Sequence, residues 1–410
     1  MSVDAAPEVM PLRQRFTQGL DAPICLTWEL TYACNLACVH CLSSSGRRDP
    51  MELTPAEARR IVDELAAMKV FYVNIGGGEP MLRPDFFDLV GYAVDHKVGV
   101  KFSTNGTRLT AERARRLAAM DYVDVQISID GALPSTNDAV RGEGSFAAAR
   151  AAMDNLAAAN FGQFKISVVV TRENVTQLDR FSDIAESYGA QLRLTRFRPS
   201  GRGIETWDAL HPTAGQQRML YRWLLDRPDV LTGDSFFHLS ALGEPLDGLN
   251  LCGAGRVVCL IDPVGDVYAC PFVIDKEFLA GNVRDEGGFS GVWRQSDLFR
   301  SLREPQSAGA CASCGSYDAC QGGCMAAKFF TGLPLDGPDP ECVRGFGEQA
   351  LAARSAEAAV PRSDVDHSRR GRRKAPVALT LGVRPDKACE TSPLVAGSAD
   401  TRLSAASARA

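Results

Sequence analysis

No stretch of the 410 residues stays apolar for the roughly 18 positions a membrane-spanning helix needs, which excludes a helical integral membrane protein. The amino terminus, MSVDAAPEVMPLRQRFTQGL, lacks the apolar centre of a secretion signal, so the chain is expected in the cytoplasm. Positive charge is not in surplus either. A net charge of −5 argues against a general nucleic-acid binder. The last sixty residues carry 11 Lys/Arg against 6 Asp/Glu, which leaves the rest of the chain near −10. The basic excess is therefore a tail and not a binding face. Hydrophobic residues at 45% and charged residues at 23% fit a globular enzyme or binding protein of two or three domains.

What the chain does have is cysteine, 13 in all. In a reducing compartment clustered thiols point to metal or catalysis more than to disulfides. The stretch CNLACVHC places Cys34, Cys38 and Cys41 on one short loop. A disulfide needs two thiols and a closed structural zinc site needs four ligands. A [4Fe–4S] cube has four irons, so three thiolates leave one iron open to a ligand. Zinc completed by the adjacent His40, or by a distant residue, is the alternative. Cys25 reads as a buried apolar residue and Cys389 as a bystander in the tail.

Between about residues 24 and 200 apolar runs alternate with amphipathic helices: ICLTWEL, VFYVNI, VGVKFST, YVDVQISID, FKISVVVT and AQLRLTRF read as strands. Thr54 followed by Glu57 signals a capped helix, as does Thr110 before AERARRLAAM. Six strands separated by helices predict α/β architecture with a parallel sheet, an α/β barrel or part of one. Such folds carry their chemistry on loops after the strands, and the three-cysteine loop follows the first strand. The expected divisions are an extension over 1–20, a partial barrel over 21–200, a bridge over 201–250, a cysteine-rich unit over 251–345 and a disordered basic tail over 346–410. The cysteine-rich unit looks too poor in apolar sequence for a conventional core. The arginines of RLTRFRPSGRG, residues 193–203, could meet a substrate carboxylate or form a solvated turn.

The Cys-x3-Cys-x2-Cys loop resembles the signature of the radical S-adenosylmethionine (SAM) superfamily. That resemblance implies a partial (β/α)6 barrel in which Cys34, Cys38 and Cys41 hold a [4Fe–4S] cluster. The open iron chelates SAM, which is cleaved to a 5′-deoxyadenosyl radical. The family usually has an aromatic residue where this chain has His40. GGGEP resembles the motif that meets the SAM amino group, implying contacts from Gly77, Gly78, Glu79 and Pro80. STNG and SIDG imply Ser103, Asn105, Ser128 and Asp130 as further cofactor contacts, with Arg141 on the SAM carboxylate.

The later cysteines, CASCGSYDACQGGC with Cys270 upstream and Cys342 downstream, resemble the SPASM extension of peptide-modifying radical SAM enzymes. By that resemblance Cys252, Cys259, Cys270 and Cys324 hold one auxiliary cluster, and Cys311, Cys314, Cys320 and Cys342 another. Three [4Fe–4S] clusters are then expected in total, and the fully ligated pair suits electron transfer. Two zinc ribbons are the alternative for this region.

Six longer stretches, from DAPICLTWELTYACNLACVHCLSSSGRRDP to MAAKFFTGLPLDGPDPEC, resemble the mycofactocin maturase family. The likeness spans about Asp21 to Cys342 and leaves out the tail. It implies a precursor peptide ending in Val-Tyr, oxidative decarboxylation of the tyrosine, and then a SAM-dependent carbon–carbon bond between valine and that tyrosine. It also implies a small separate peptide-recognition protein and an external electron donor of flavodoxin or ferredoxin type. About 20 residues before the first strand leave little room for a fused recognition domain. The rival readings are another SPASM enzyme, such as a sulfatase activator or thioether-forming maturase, and a non-catalytic zinc scaffold.

Overall fold

The six apolar runs become parallel strands β1 (Cys25–Thr31), β2 (Tyr72–Gly77), β3 (Gly99–Thr104), β4 (Val123–Ser128), β5 (Lys165–Val170) and β6 (Gln191–Arg196). The computed structural model describes residues 12–233, 235–248, 250–304 and 308–356. Helices cross between the strands, as the alternation predicts. The helix Pro55–Ala67 has the anticipated capping box, Thr54 taking the Glu57 N–H while Glu57 Oε2 takes the Thr54 N–H at 2.8 Å. Thr110 likewise caps Ala111–Ala118. One short helix, Pro134–Arg141, was not foreseen; Pro134 sits in its first turn, where no backbone donor is needed.

The strands alternate apolar and polar residues, and this alternation positions the site. Leu26, Trp28, Ile75, Phe102, Ile127, Val168 and Leu194 point to one face, where all are buried. They pack against crossover-helix residues such as Ile61, Leu89, Leu117, Met153 and Phe181. Each large side chain so buried contributes about 1.5–3 kcal/mol. The opposite face is polar. Thr27, Asn74, Lys101 and Asp124 are direct neighbours across four strands, and Ser103, Gln126 and Lys165 form a second row. A wall of this kind lines a cleft; it is not the apolar filling of a closed barrel.

The sheet does not stop at β1. Strands β7 (Val258–Ile261), β8 (Asp266–Tyr268) and β9 (Leu279–Asn282) extend it to nine strands in the order β6-β5-β4-β3-β2-β1-β7-β8-β9. β7 runs parallel to β1; β8 and β9 are antiparallel additions. This corrects the expectation that the cysteine-rich unit lacks a conventional core. Val267, Phe289, Trp293 and Phe299 are fully buried there, and the Trp293 and Phe299 rings meet edge to face at 5.3 Å. The tail expected to be disordered from residue 346 opens with a helix, Phe346–Ala356, whose alanines, Leu351 and Arg354 favour helix. Residues 357–410, Cys389 among them, lie outside the described residues. Among the described residues no helix is long and apolar enough to cross a membrane.

Candidate active site

The three-cysteine loop leaves the end of β1 and is closed at its base by two backbone hydrogen bonds. Cys34 N–H donates to Gly46 O at 2.9 Å and Gly46 N–H to Tyr32 O at 2.7 Å. Buried Glu52 accepts from Tyr32 N–H at 2.8 Å and from Thr31 Oγ1 at 3.0 Å, fixing the strand's exit. From far along the chain, buried Arg202 donates to Cys38 O at 2.8 Å and to Ser45 O at 3.0 Å, and its own N–H reaches Cys41 O at 3.0 Å. Burial pushes the Cys34 thiol up to about 12, helped by the neighbouring Cys38 and Cys41, and raises Cys38 too. Cys41 moves the other way. Burial opposes its charge, but Arg202 and hydrogen bonds from the Ser43–Ser45 turn outweigh it.

The glycine run after β2 lies against this loop. Gly78 N–H donates to Thr31 O and Glu79 N–H to Ala33 O, both at 2.8 Å. A Cβ on Gly78 would stand 1.9 Å from Ala33 O, and Gly77 has φ +102°, so both positions demand glycine. Gly76 has nothing within 4 Å of where a Cβ would be, which leaves open space over the run. Glu79 is buried. It accepts from Thr104 Oγ1 and Asn105 N–H at 2.9 Å, and Pro80 follows it into a single 3-10 turn. Asn105 donates to Asn35 Oδ1 at 3.1 Å, tying the loop after β3 to the cysteine loop. Ser103 and Ser128 sit half-buried at the ends of β3 and β4.

Two expected cofactor contacts turn out to bind each other. Arg141 Nε donates to Asp130 Oδ2 at 2.7 Å, and Val169 N–H donates to the other carboxylate oxygen, Oδ1, at 2.7 Å. His40 Nε2 stands 2.7 Å from the same Oδ2. Burial works against charge on Asp130, but Arg141 and His40 hold its carboxyl well below the usual carboxylate range. Asp130 is thus an internal counter-ion, and Arg141 has its Nε committed. His40, the candidate fourth zinc ligand, gives its Nε2 to Asp130. Among the described residues no three His, Cys, Asp or Glu side chains converge as a single-ion site requires.

In the second field, Cys311, Cys314, Cys320 and Cys342 line one pocket together with His238 and Asp339. Burial raises the Cys270 thiol, and Cys252 and Cys324 beside it raise it further. Cys259 is the outlier. It is fully buried on β7, opposite Leu26, and so faces the apolar side of the sheet. Three of the arginines of residues 193–203 are neither a solvated turn nor free substrate readers. Arg196 pairs with Asp339 (2.8 Å) and with Glu341, Arg198 donates to Cys324 Sγ at 3.4 Å, and Arg202 holds the first cysteine loop.

Chemically, a half-buried set of three thiols with Arg202 and Arg141 nearby suits a cluster whose thiolate charge must be offset, and the open space above Gly76 leaves room for its ligand. The sequence matches the description "Radical SAM superfamily" over residues 28–184 and "Iron-sulfur cluster-binding domain" over residues 252–315. It is 67% identical to the mycofactocin maturase MftC of Mycobacterium tuberculosis (strain ATCC 25618 / H37Rv), covering 93% of this chain and 98% of that one. It is 66% identical to that of Mycolicibacterium smegmatis, covering 96% and 100%. The chain belongs to the mycofactocin maturase family. It is a radical SAM enzyme of peptide maturation that uses SAM and iron–sulfur clusters. The fold agrees. Streptococcus suis SuiB bound to S-adenosylmethionine superposes with a TM-score of 0.64 at 18% identity, covering 80% of this chain and 78% of that one.

Two residues that organise the site, Glu52 and His238, escaped the sequence reading, and Arg202 stood there only as one of a group of arginines. Glu52 and Arg202 lie outside every cysteine motif, and only their contacts reveal what they hold. His238 follows the paired phenylalanines of FFHLS, a stretch with no chemical motif. It is buried, lines the four-thiol pocket, and its Nδ1 has no hydrogen-bond partner among the described residues.

Proposed function

We propose that this enzyme oxidatively decarboxylates the C-terminal tyrosine of a precursor peptide ending in Val-Tyr. It then joins the valine to the decarboxylated tyrosine through a carbon–carbon bond. The observation that carries this reading is the 67% identity, nearly end to end, to the mycofactocin maturase of M. tuberculosis. Cys34, Cys38 and Cys41 would ligate the cluster that binds SAM. Gly77, Gly78, Glu79, Pro80, Ser103, Asn105 and Ser128 would shape the cofactor's seat, with Asp130 and Arg141 acting as one paired unit. Bound there, the cluster and SAM supply the radical that takes hydrogen from the tyrosine β-carbon. The chain's own work is to hold that seat rigid. Arg202 pins the cysteine loop, Glu79 locks the glycine run to β3, and the His40–Asp130–Arg141 group braces the loop after β4.

Cys252, Cys270 and Cys324 would hold one auxiliary cluster, with Cys259, on the apolar side of β7, the least important of its four proposed ligands, and Cys311, Cys314, Cys320 and Cys342 the other, giving three [4Fe–4S] clusters. A small separate protein would present the peptide, and a flavodoxin or ferredoxin-type donor would deliver electrons in the cytoplasm. The test is to incubate reconstituted enzyme with precursor peptide, presenting protein, SAM and reductant, and to follow peptide mass. Loss of CO2 from the C-terminal tyrosine is expected. Unchanged peptide alongside steady deoxyadenosine release would rule the substrate out.

A further inference from the structure

Below the cofactor's seat the polar wall carries more positive than negative charge. Lys101 on β3, Lys165 on β5 and Arg193 on β6 share this face with two carboxylates, Asp124 on β4 and buried Glu29 on β1. Lys165 uses Asp124, at 2.5 Å. Arg193 reaches across the cleft from β6 to the neighbourhood of Cys25 on β1 and Tyr72 on β2, so it forms a floor. Neither the Lys101 nor the Arg193 side chain makes a hydrogen bond or an ion pair among the described residues. Burial disfavours the charge on both, each is further disfavoured by another cation nearby, and Asp124, already bonded to Lys165, is the carboxylate that offsets this for both. Withdrawing two unpaired cations from water is costly unless an anion meets them.

Lys101 lies two residues before Ser103 on the same face, about 7 Å down the strand. A lysine side chain can span most of that distance. An anion held there would sit beneath the seat, where the end of a substrate would lie if its terminal β-carbon faced the cofactor. The acid group of such a residue is two bonds from that carbon.

We propose that Lys101 and Arg193 form a carboxylate subsite in the barrel floor, and that it takes the C-terminal carboxylate of the peptide. This rests on the function proposed above. The test measures binding, not turnover. An amino-terminally fluorescein-labelled precursor peptide is titrated by anisotropy against SAM-loaded holoenzyme, with presenting protein in every arm. The peptide is compared as free acid, as C-terminal carboxamide, and with its acidic side chains changed to amides. Wild type should prefer the free acid over the carboxamide by at least about tenfold, a difference worth about 1.4 kcal/mol. In Lys101→Met and in Arg193→Gln the preference should collapse, with iron content and melting temperature kept as checks on folding. Retention of the preference in both variants, its absence in wild type, or its transfer to the side-chain amides overturns the subsite. No binding of any form by wild type overturns the peptide reading, and the subsite with it.

Discussion

Gly78→Ala offers a sharp test of how the cysteine loop is held. The added methyl carbon would stand 1.9 Å from Ala33 O and 2.6 Å from Ala33 C, whereas real contacts of this kind do not fall below 3.0 Å. Both opposing atoms are backbone, so no rotamer change relieves the clash. Either the glycine run or the start of the cysteine loop must move by about 1 Å, and misplacement on that scale costs on the order of 100-fold in rate. The overpacking itself costs about 1–3 kcal/mol, too little to unfold a chain with this much buried core. The hydrogen bonds from Gly78 N–H to Thr31 O and from Glu79 N–H to Ala33 O would stretch together, since both cross the same gap. The assay is the initial rate of 5′-deoxyadenosine formation by dithionite-reduced enzyme, with iron content and melting temperature in parallel. Gly91→Ala is the control. Its methyl meets nothing within 4 Å and it lies within the helix Phe86–Asp95, where alanine is the better helix former. Gly91→Ala should keep full rate. If Gly78→Ala kept its rate within about threefold of wild type at full iron content, the argument from contact geometry would be wrong.

Arg202→Met should remove two buried side-chain hydrogen bonds to the cysteine loop, each worth about 1.5–3 kcal/mol because the donor is charged. Iron per chain should fall and Arg202→Lys should not restore it, since an ammonium cannot span the two carbonyls as the guanidinium does; full iron loading in Arg202→Met would refute this. Cys270→Ala should lose about one cluster's worth of iron, whereas Cys259→Ala, its side chain on the apolar face of β7, should lose markedly less. Equal losses from the two would return Cys259 to full standing as a ligand.

Local signals in the sequence were reliable where the physics is local. The six strands, the Thr54–Glu57 box and the Thr110 cap all depend on residues within four positions of one another, and all appear where expected. The glycine run was legible as a close-approach point, and the structure supplies what it approaches. Long-range pairings were not legible. Nothing in SIDG and VRGEGSF announces that Asp130 and Arg141 will bond to each other, because the pairing depends on how Pro134–Arg141 folds back over the end of β4. The extension of the sheet by β7 was hidden for a similar reason. Four residues, Val258–Ile261, are too short a run to declare themselves, and their partner β1 lies more than 200 positions earlier.

The end of β6 shows what that hidden information amounts to. Arg196, Arg198 and Arg202 fall within seven positions, yet they go to three different places. Arg196 binds Asp339 and Glu341 beside the last cysteines, Arg198 meets Cys324 and covers the Phe272 ring at 4.0 Å, and Arg202 holds the first cysteine loop. One stretch of backbone therefore sets the position of both cysteine fields relative to the sheet. Thiolate-bound clusters carry negative charge, and a buried guanidinium can offset it while donating several directional hydrogen bonds. A lysine in these places would keep the charge but not the geometry. If these arginines served mainly to read the substrate, their substitution would weaken peptide binding before cluster loading. Their partners are the chain's own sulfur, carboxylates and carbonyls, so cluster loading should fail first.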